Sequence, residues 1–100
     1  MSRLKTDTVT IRGEAFKIRE WTPSERKGFL QKNDADRYMA GVYLAWCCTL
    51  NDTGGRLFTS EKFIADEEPT ELSDELAAAI LKLSGSGARS AEAEDPGKKD

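Results

Sequence analysis

The sequence predicts a small α+β fold, mostly α, in which an N-terminal β-hairpin precedes three to four helices. Thirteen consecutive residues from Tyr38 to Leu50 carry no charge, in a chain of which 33% of the residues are charged. Before this run, two short segments alternate between apolar and polar residues, as strands with one buried face do. We therefore expect a single globular domain over residues 1–84, built around a central apolar helix, and a disordered polar tail over residues 85–100.

The hairpin prediction rests on the phase of four apolar residues. Val9 and Ile11 alternate in step with Phe16 and Ile18 across the turn-like sequence Arg-Gly-Glu. All four would share one face of a hairpin spanning about residues 8–20. Because an isolated hairpin is barely stable, this face should lie on the helices.

A capping box predicts where the first helix begins. Thr22 is suited to the N-cap, Pro23 to the first helical position and Glu25 to the third, and Trp21 precedes them. We expect a short, partly exposed helix over about residues 23–32.

The central helix is expected over about residues 35–50. Asp34 is the expected N-cap, Asp36 falls in the first turn, and Gly54-Gly55 lies shortly after the last turn. Such a helix is apolar nearly all round. It must be buried on more than one side or keep a face for another chain.

Two further helices are predicted, over about residues 60–65 and 70–83. The first follows the capping pattern Thr59-Ser60-Glu61. Between them lies an acidic stretch, residues 66–75, with six carboxylates and no basic residue, which we interpret as a solvated face. The last helix has a clean amphipathic spacing, with one apolar face of Leu72, Leu76, Ala79, Ile80 and Leu83.

Composition argues against several classes of function. The net charge is −3, and neither half of the chain holds a dense basic cluster, so nucleic acid is not an expected partner. A membrane partner is not expected either, because the uncharged run is too short for a span. There is no histidine, and no base, nucleophile and orienting group can be assembled, so we do not expect an enzyme. Cys47 and Cys48 are adjacent and lie among apolar residues, which favours reduced, buried thiols in a cytosolic protein.

The loop around Gly54-Gly55 partly matches a calcium-binding EF-hand loop. With Gly55 at the invariant glycine, Asp52 and Glu61 take the third and twelfth ligand positions. Leu50 and Gly54 then occupy positions that need acidic ligands. We expect neither a metal nor a cofactor; a small calcium-responsive module, with Asp52 and Glu61 as weak candidate ligands, is the alternative.

The central helix carries residue types that anchor protein interfaces. The candidates for partner binding or self-association are Met39, Val42, Tyr43, Trp46 and Leu50. The alternative is that these residues are ordinary core, and periodicity alone does not separate the two.

The order of these elements resembles tail assembly chaperones of long-tailed bacteriophages and prophages, over about residues 6–86. The segments that carry the resemblance are IREWTPSER, DTGGRLFTSEKF and the LKLSG end of the last helix. It implies a non-enzymatic protein of the host bacterial cytoplasm that binds and solubilises the tape measure protein until tail-tube subunits polymerise around it. The major tail (tube) protein is a second candidate partner. It also implies self-association, absence from the finished virion, and a longer frameshifted form extended after Gly85. A structural tail or connector subunit that stays in the virion is the alternative.

Overall fold

The structure, a computed structural model, describes residues 3–85. A hairpin of β1 (Thr6–Ile11) and β2 (Glu14–Arg19) opens the fold. Ile11 pairs with Glu14, which leaves a two-residue loop of Arg12 and Gly13 with φ angles of 54° and 80°. Positive φ at both positions is what a tight type I′ hairpin turn requires. Of the predicted tail, residues 86–100 lie outside the described residues.

Within the described residues four helices follow: α1 (Pro23–Ala35), α2 (Arg37–Cys48), α3 (Glu61–Glu67) and α4 (Thr70–Leu83). The capping box at the start of α1 is present. The Thr22 hydroxyl accepts the Glu25 N–H at 3.2 Å, and the Glu25 carboxylate accepts the Thr22 N–H at 2.9 Å. At the start of α3, the Ser60 hydroxyl accepts the Phe63 N–H at 3.1 Å. The side chains of the N-cap residues therefore determine where both of these helices begin.

The boundaries predicted for the first and central helices were wrong where they meet. Asp34 lies inside α1, which runs to Ala35, and Asp36 is the N-cap of α2. The Asp36 carboxylate accepts the N–H groups of Tyr38 and Met39 at 3.1 and 3.3 Å. Either aspartate suits an N-cap by residue type, and only the extended backbone of Asp36 decides between them.

The far end of the central helix was also predicted wrongly. Thr49 and Leu50 form β3 (Thr49–Leu50), which pairs antiparallel with β2 opposite Ile18 and Lys17. The sheet order is β1-β2-β3. Strand pairing satisfies backbone groups that a further turn of helix would otherwise have bonded internally. This change of direction ties the end of α2 to the sheet.

The helix α2 lies in the middle of the fold. It packs against α1 on one side and against α4 on another, and α4 also packs on β1 and β2. This arrangement explains why α2 is apolar nearly all round. The largest fully buried apolar side chains come from the sheet, α2 and α4; they are Ile18, Leu44, Leu76 and Ile80.

The described elements confirm an α+β, mostly α fold with an N-terminal hairpin and a central apolar helix. The predicted face of α4 is largely inside, with Leu72, Leu76 and Ile80 buried. Among residues 3–85, no helix is both long enough and apolar enough to cross a membrane.

Candidate functional site

A buried ion pair holds the C-terminal end of α2 against the sheet and α1. The Arg19 guanidinium donates to both oxygens of the Glu25 carboxylate at 2.8 Å. It also donates to the carbonyl oxygens of Cys47 at 2.9 Å and of Glu20 at 3.0 Å. The Cys47 carbonyl is one that α2 leaves unbonded at its end, so Arg19 acts as a side-chain cap. One side chain from β2 thus joins the start of α1 to the end of α2.

Arg19 and Glu25 each stabilise the charged form of the other. Burial alone would raise the pKa of the Glu25 carboxyl, but hydrogen bonds from Arg19 and from the Thr22 N–H outweigh it and hold the pKa below its usual value. The hydrogen bond to Glu25 raises the pKa of Arg19. Both groups are therefore charged at neutral pH, and the pair is structural rather than reactive.

Two of the predicted partner-binding residues, Tyr43 and Trp46, already have partners within the chain. The Lys32 ammonium lies 5.4 Å from the centre of the Tyr43 ring, and the Arg56 guanidinium lies 4.1 Å from the centre of the Trp46 ring. Both aromatic residues are half-buried, and their ring centroids are 6.3 Å apart. Burial raises the pKa of Tyr43 to about 12, so its hydroxyl stays protonated. A third candidate, Leu50, is half-buried on β3 instead of the helix.

The remaining two candidates, Met39 and Val42, line a groove of about 310 Å³ between α2, α3 and α4. We call it the Tyr38 groove. Val42 is only 7% exposed and belongs to the core, so it can supply no more than the floor. Five apolar residues line the groove, namely Tyr38, Met39, Val42, Ile64 and Ala65, and four polar ones, namely Glu68, Thr70, Ser73 and Asp74.

Tyr38 is the most exposed large apolar residue that the structure describes, at 74%. It also lines a second groove of about 440 Å³, between α1, α2 and α4, whose apolar walls include Phe29 and Leu81. Tyr38 therefore stands as a ridge between two concave surfaces. Sequence reasoning did not select it, although its place next to Arg37 at the polar start of the helix was a signal that it faces outward.

The Tyr38 groove has an acidic rim. Glu68 and Asp74 line it, and neither forms an ion pair with any described residue. Of the other carboxylates in the acidic stretch, Asp66 pairs with Lys62 at 2.5 Å and Glu71 pairs with Arg12 at 3.0 Å. Asp66 and Glu71 are thus paired, whereas Glu68 and Asp74 leave negative charge at the rim, with Arg37 beside Asp74 in the second groove.

The two cysteines and the two weak metal candidates lie apart from this groove. Cys47 and Cys48 are buried free thiols; burial raises the pKa of both, that of Cys48 to about 12, so neither is a ready nucleophile. Glu61 pairs with Lys32 at 3.6 Å, and Asp52 lines a different groove beside the sheet. Within residues 3–85, no cluster of three or more potential metal-ligating side chains of Cys, Asp or Glu occurs.

The turn that resembled an EF-hand is organised by an asparagine. The Asn51 side-chain oxygen accepts the N–H groups of Thr53 and Gly55 at 2.9 and 3.0 Å, and the Thr53 hydroxyl at 2.8 Å. Gly54 takes a φ of 90°, where a side chain would be strained. Gly55, the glycine that suggested a calcium loop, thus donates its N–H to an Asn-centred turn.

Comparison with known proteins identifies a solved structure with a similar fold. No protein-family model matches the chain, and no curated protein matches its sequence. Among solved structures, that of the bacteriophage HK97 tail assembly chaperone is similar, with a TM-score of 0.67 over 83% of this chain and 84% of that chain. The sequence identity is 16%, so the likeness is one of fold. The likeness confirms that this chain resembles a phage tail assembly chaperone in fold.

Proposed function

We propose that this protein is a non-enzymatic tail assembly chaperone of a long-tailed phage or prophage. In this role it binds the tape measure protein in the host cytoplasm, keeps it soluble while tail-tube subunits polymerise around it, and is absent from the finished virion. The observation that carries the proposal is the shared fold over most of both chains. The exposed apolar surface around α2 supports the proposal. A chaperone for a long helical protein needs apolar residues that are not buried in its own core.

The test is co-expression with the long helical protein encoded by a neighbouring reading frame of the same genome. We expect that protein to be insoluble alone, and to be soluble and to co-purify when this chain is present. Mass spectrometry of purified particles should find the long protein and not this one. Finding this chain in stoichiometric amount in particles would instead support a structural tail or connector subunit.

The proposed source of partner contacts or of self-association is the central helix, through Met39, Val42, Tyr43 and Trp46, together with Leu50 of β3. Trp46→Ala should weaken solubilisation of the long protein while leaving the far-UV circular dichroism mostly intact. Loss of the Arg56 contact should cost only about 1 kcal/mol, as for a partly exposed cation–π pair.

Trp46→Phe is the matched control, since it keeps an aromatic face and should retain solubilisation. If Trp46→Ala unfolds the domain, Trp46 is a core residue and this assignment is wrong. Light scattering of the same variants measures self-association separately.

A further inference from the structure

The Tyr38 groove combines an apolar floor with an exposed aromatic side chain. Tyr38 is 74% exposed, while Met39 and Val42 below it are largely covered. Solvent exposure of a tyrosine at the first turn of the most apolar helix is not needed for folding. Aromatic residues and methionine are enriched where proteins bind one another. The groove therefore has the side chains of an interface.

The shape of this surface favours an elongated occupant. The groove of about 310 Å³ is at the lower end of the range of about 300–1,000 Å³ seen for small-molecule pockets. Beyond the Tyr38 ridge, the second groove extends the concave surface across α2 to Phe29 of α1 and Leu81 of α4. A helix with apolar side chains on successive turns would reach both grooves, which a small molecule would not.

Charge then decides what kind of helix this surface fits. Glu68 and Asp74 stand at the groove without a basic partner among the described residues. Close by on α4, a hydrogen bond with Glu71 raises the pKa of Glu75, a sign that carboxylates are crowded here. Asp74 also lines the second groove, where Arg37 joins it, so Glu68 is the rim carboxylate that lies away from this base.

We propose that the Tyr38 groove is the docking site for an amphipathic helix whose apolar stripe is flanked by lysine or arginine residues. The apolar stripe would pack on Tyr38 and Met39, and the flanking bases would pair with Glu68 and Asp74. Complementary charge of this kind selects partners and speeds their association more than it adds affinity. The proposal deepens the proposed function, because the natural occupant would then be a basic amphipathic segment of the tape measure protein.

The experiment uses the full chain and two synthetic helical peptides of about 18 residues, or five turns. Both peptides carry leucine at helical spacing on one face; one has lysine beside the stripe and the other has glutamate at the same positions. Binding is measured by calorimetry. We expect the lysine peptide to bind about tenfold more tightly than the glutamate peptide. The preference should shrink as salt is raised from about 0.1 M to about 1 M, where the screening length falls from about 10 Å to about 3 Å.

Charge-reversal variants locate the site. Glu68→Lys combined with Asp74→Lys should reverse the preference between the two peptides. The matched control is Asp7→Lys combined with Asp52→Lys, which changes the net charge equally at two exposed residues that line neither the Tyr38 groove nor the second groove. This control should keep the preference for the lysine peptide.

Apolar variants test the ridge in the same way. Tyr38→Ala should weaken binding of the lysine peptide about tenfold. Leu30→Ala, at a site on α1 that is 45% exposed and lines neither groove, should leave it unchanged. Circular dichroism and thermal melting of each variant check that it is folded; Tyr38 is exposed enough that its removal should not disturb the core.

Several outcomes would overturn the proposal. Equal affinity for the two peptides, or no binding of either, shows that the groove does not select a basic helix. Loss of binding in the control pair but not in the groove pair places the site elsewhere. A dimer in solution that Tyr38→Ala dissociates shows that a second copy of the chain is the occupant.

The proposed function is decided by a separate readout. A wild-type chain that binds the lysine peptide but fails to solubilise the long helical protein refutes the chaperone role and leaves the groove assignment standing. If the wild-type chain solubilises the long protein, and the Glu68→Lys, Asp74→Lys variant does so equally well, the chaperone role is supported and the groove assignment is refuted.

Discussion

Replacing Arg19 by methionine should remove the main polar connection between β2, α1 and α2. Methionine keeps much of the apolar stem but loses both bonds to the Glu25 carboxylate and the bonds to the carbonyls of Cys47 and Glu20. Glu25 is then left as a buried charge with Arg56, 3.8 Å away, as its remaining ion-pair partner among the described residues. We expect a large loss of stability without a change of fold.

The size of the loss follows from the burial of the pair. Removing one partner of a buried ion pair costs about 3–5 kcal/mol. The side chains of Arg19 and Glu25 keep 17% and 11% of their exposure, which puts the expected cost at the lower end, about 3 kcal/mol. A domain of this size has a free energy of unfolding of roughly 4–12 kcal/mol, so the loss is a large fraction of the total. In urea, the unfolding midpoint should fall by on the order of 2 M.

The assay is urea unfolding followed by tryptophan fluorescence, with Glu25→Gln and the double variant completing a cycle. Glutamine can still serve at the third position of the capping box, so Glu25→Gln removes the charge and leaves the cap. The double variant should be more stable than the sum of the two single losses predicts, because neither charge is left buried alone. A midpoint for Arg19→Met within about 0.5 M of wild type, with an unchanged slope, would refute the reasoning.

The same pair predicts a dependence on pH. The pKa of Glu25 is lower in the folded protein than its ordinary value of 4.5, so its contribution is fully present above pH 4.5. That contribution is lost as the pH falls through the lower, folded-state pKa. Wild type should therefore be more stable than Glu25→Gln at pH 7, and the difference should shrink as the pH falls below 4.5. A difference that stays constant down to pH 2.5 would contradict this assignment.

Three further predictions follow from single sites. The Thr49 hydroxyl is buried with no hydrogen-bond partner among the described residues, so Thr49→Val should raise the free energy of unfolding by about 1 kcal/mol, whereas Thr49→Ser should lower it. A Cβ at Gly28 would lie 2.5 Å from the Tyr43 hydroxyl oxygen, so Gly28→Ala should destabilise by about 1–2 kcal/mol despite the better helix propensity of alanine. The ring carbon that bears this hydroxyl would lie 2.9 Å away, so the test uses a Tyr43→Leu background; the loss should be smaller there, and an equal loss would refute the contact. Calcium at low millimolar concentration should leave the melting temperature unchanged, since Glu61 is paired with Lys32; a rise of several degrees would revive the calcium-responsive alternative.

Residues close in sequence carried the predictions that succeeded. The capping box of Thr22 and Glu25 and the matched phases of the hairpin are local patterns, which depend on the backbone of a few neighbouring residues. The bounds of α4 were likewise readable, because its apolar face repeats at helical spacing. Where two aspartates were equally suited to cap α2, the local pattern was ambiguous and the wrong one was chosen.

The partner-binding residues show what local patterns leave open. All the candidates on α2 look alike in sequence, as apolar residues of an uncharged run. In the fold, Arg56 from the loop after β3 covers the Trp46 ring, while Tyr38 stays 74% exposed between two grooves. The partial burial of Trp46 and the exposure of Tyr38 do not depend on the residues next to them in sequence. Periodicity therefore could not distinguish an interface residue from a core residue.

By itself, then, the sequence determined the α+β class, the hairpin, the helix starts at Thr22 and Ser60, and a central helix with more apolar surface than one neighbour could bury. The tertiary structure alone decided that Thr49 and Leu50 join the sheet, that Arg19 ties the end of α2 to Glu25, and that the exposed end of α2 is at Tyr38. The physical reason is separation along the chain. Capping and periodicity act within a few residues, whereas strand pairing, ion pairing and the covering of an aromatic ring depend on residues that only folding brings together.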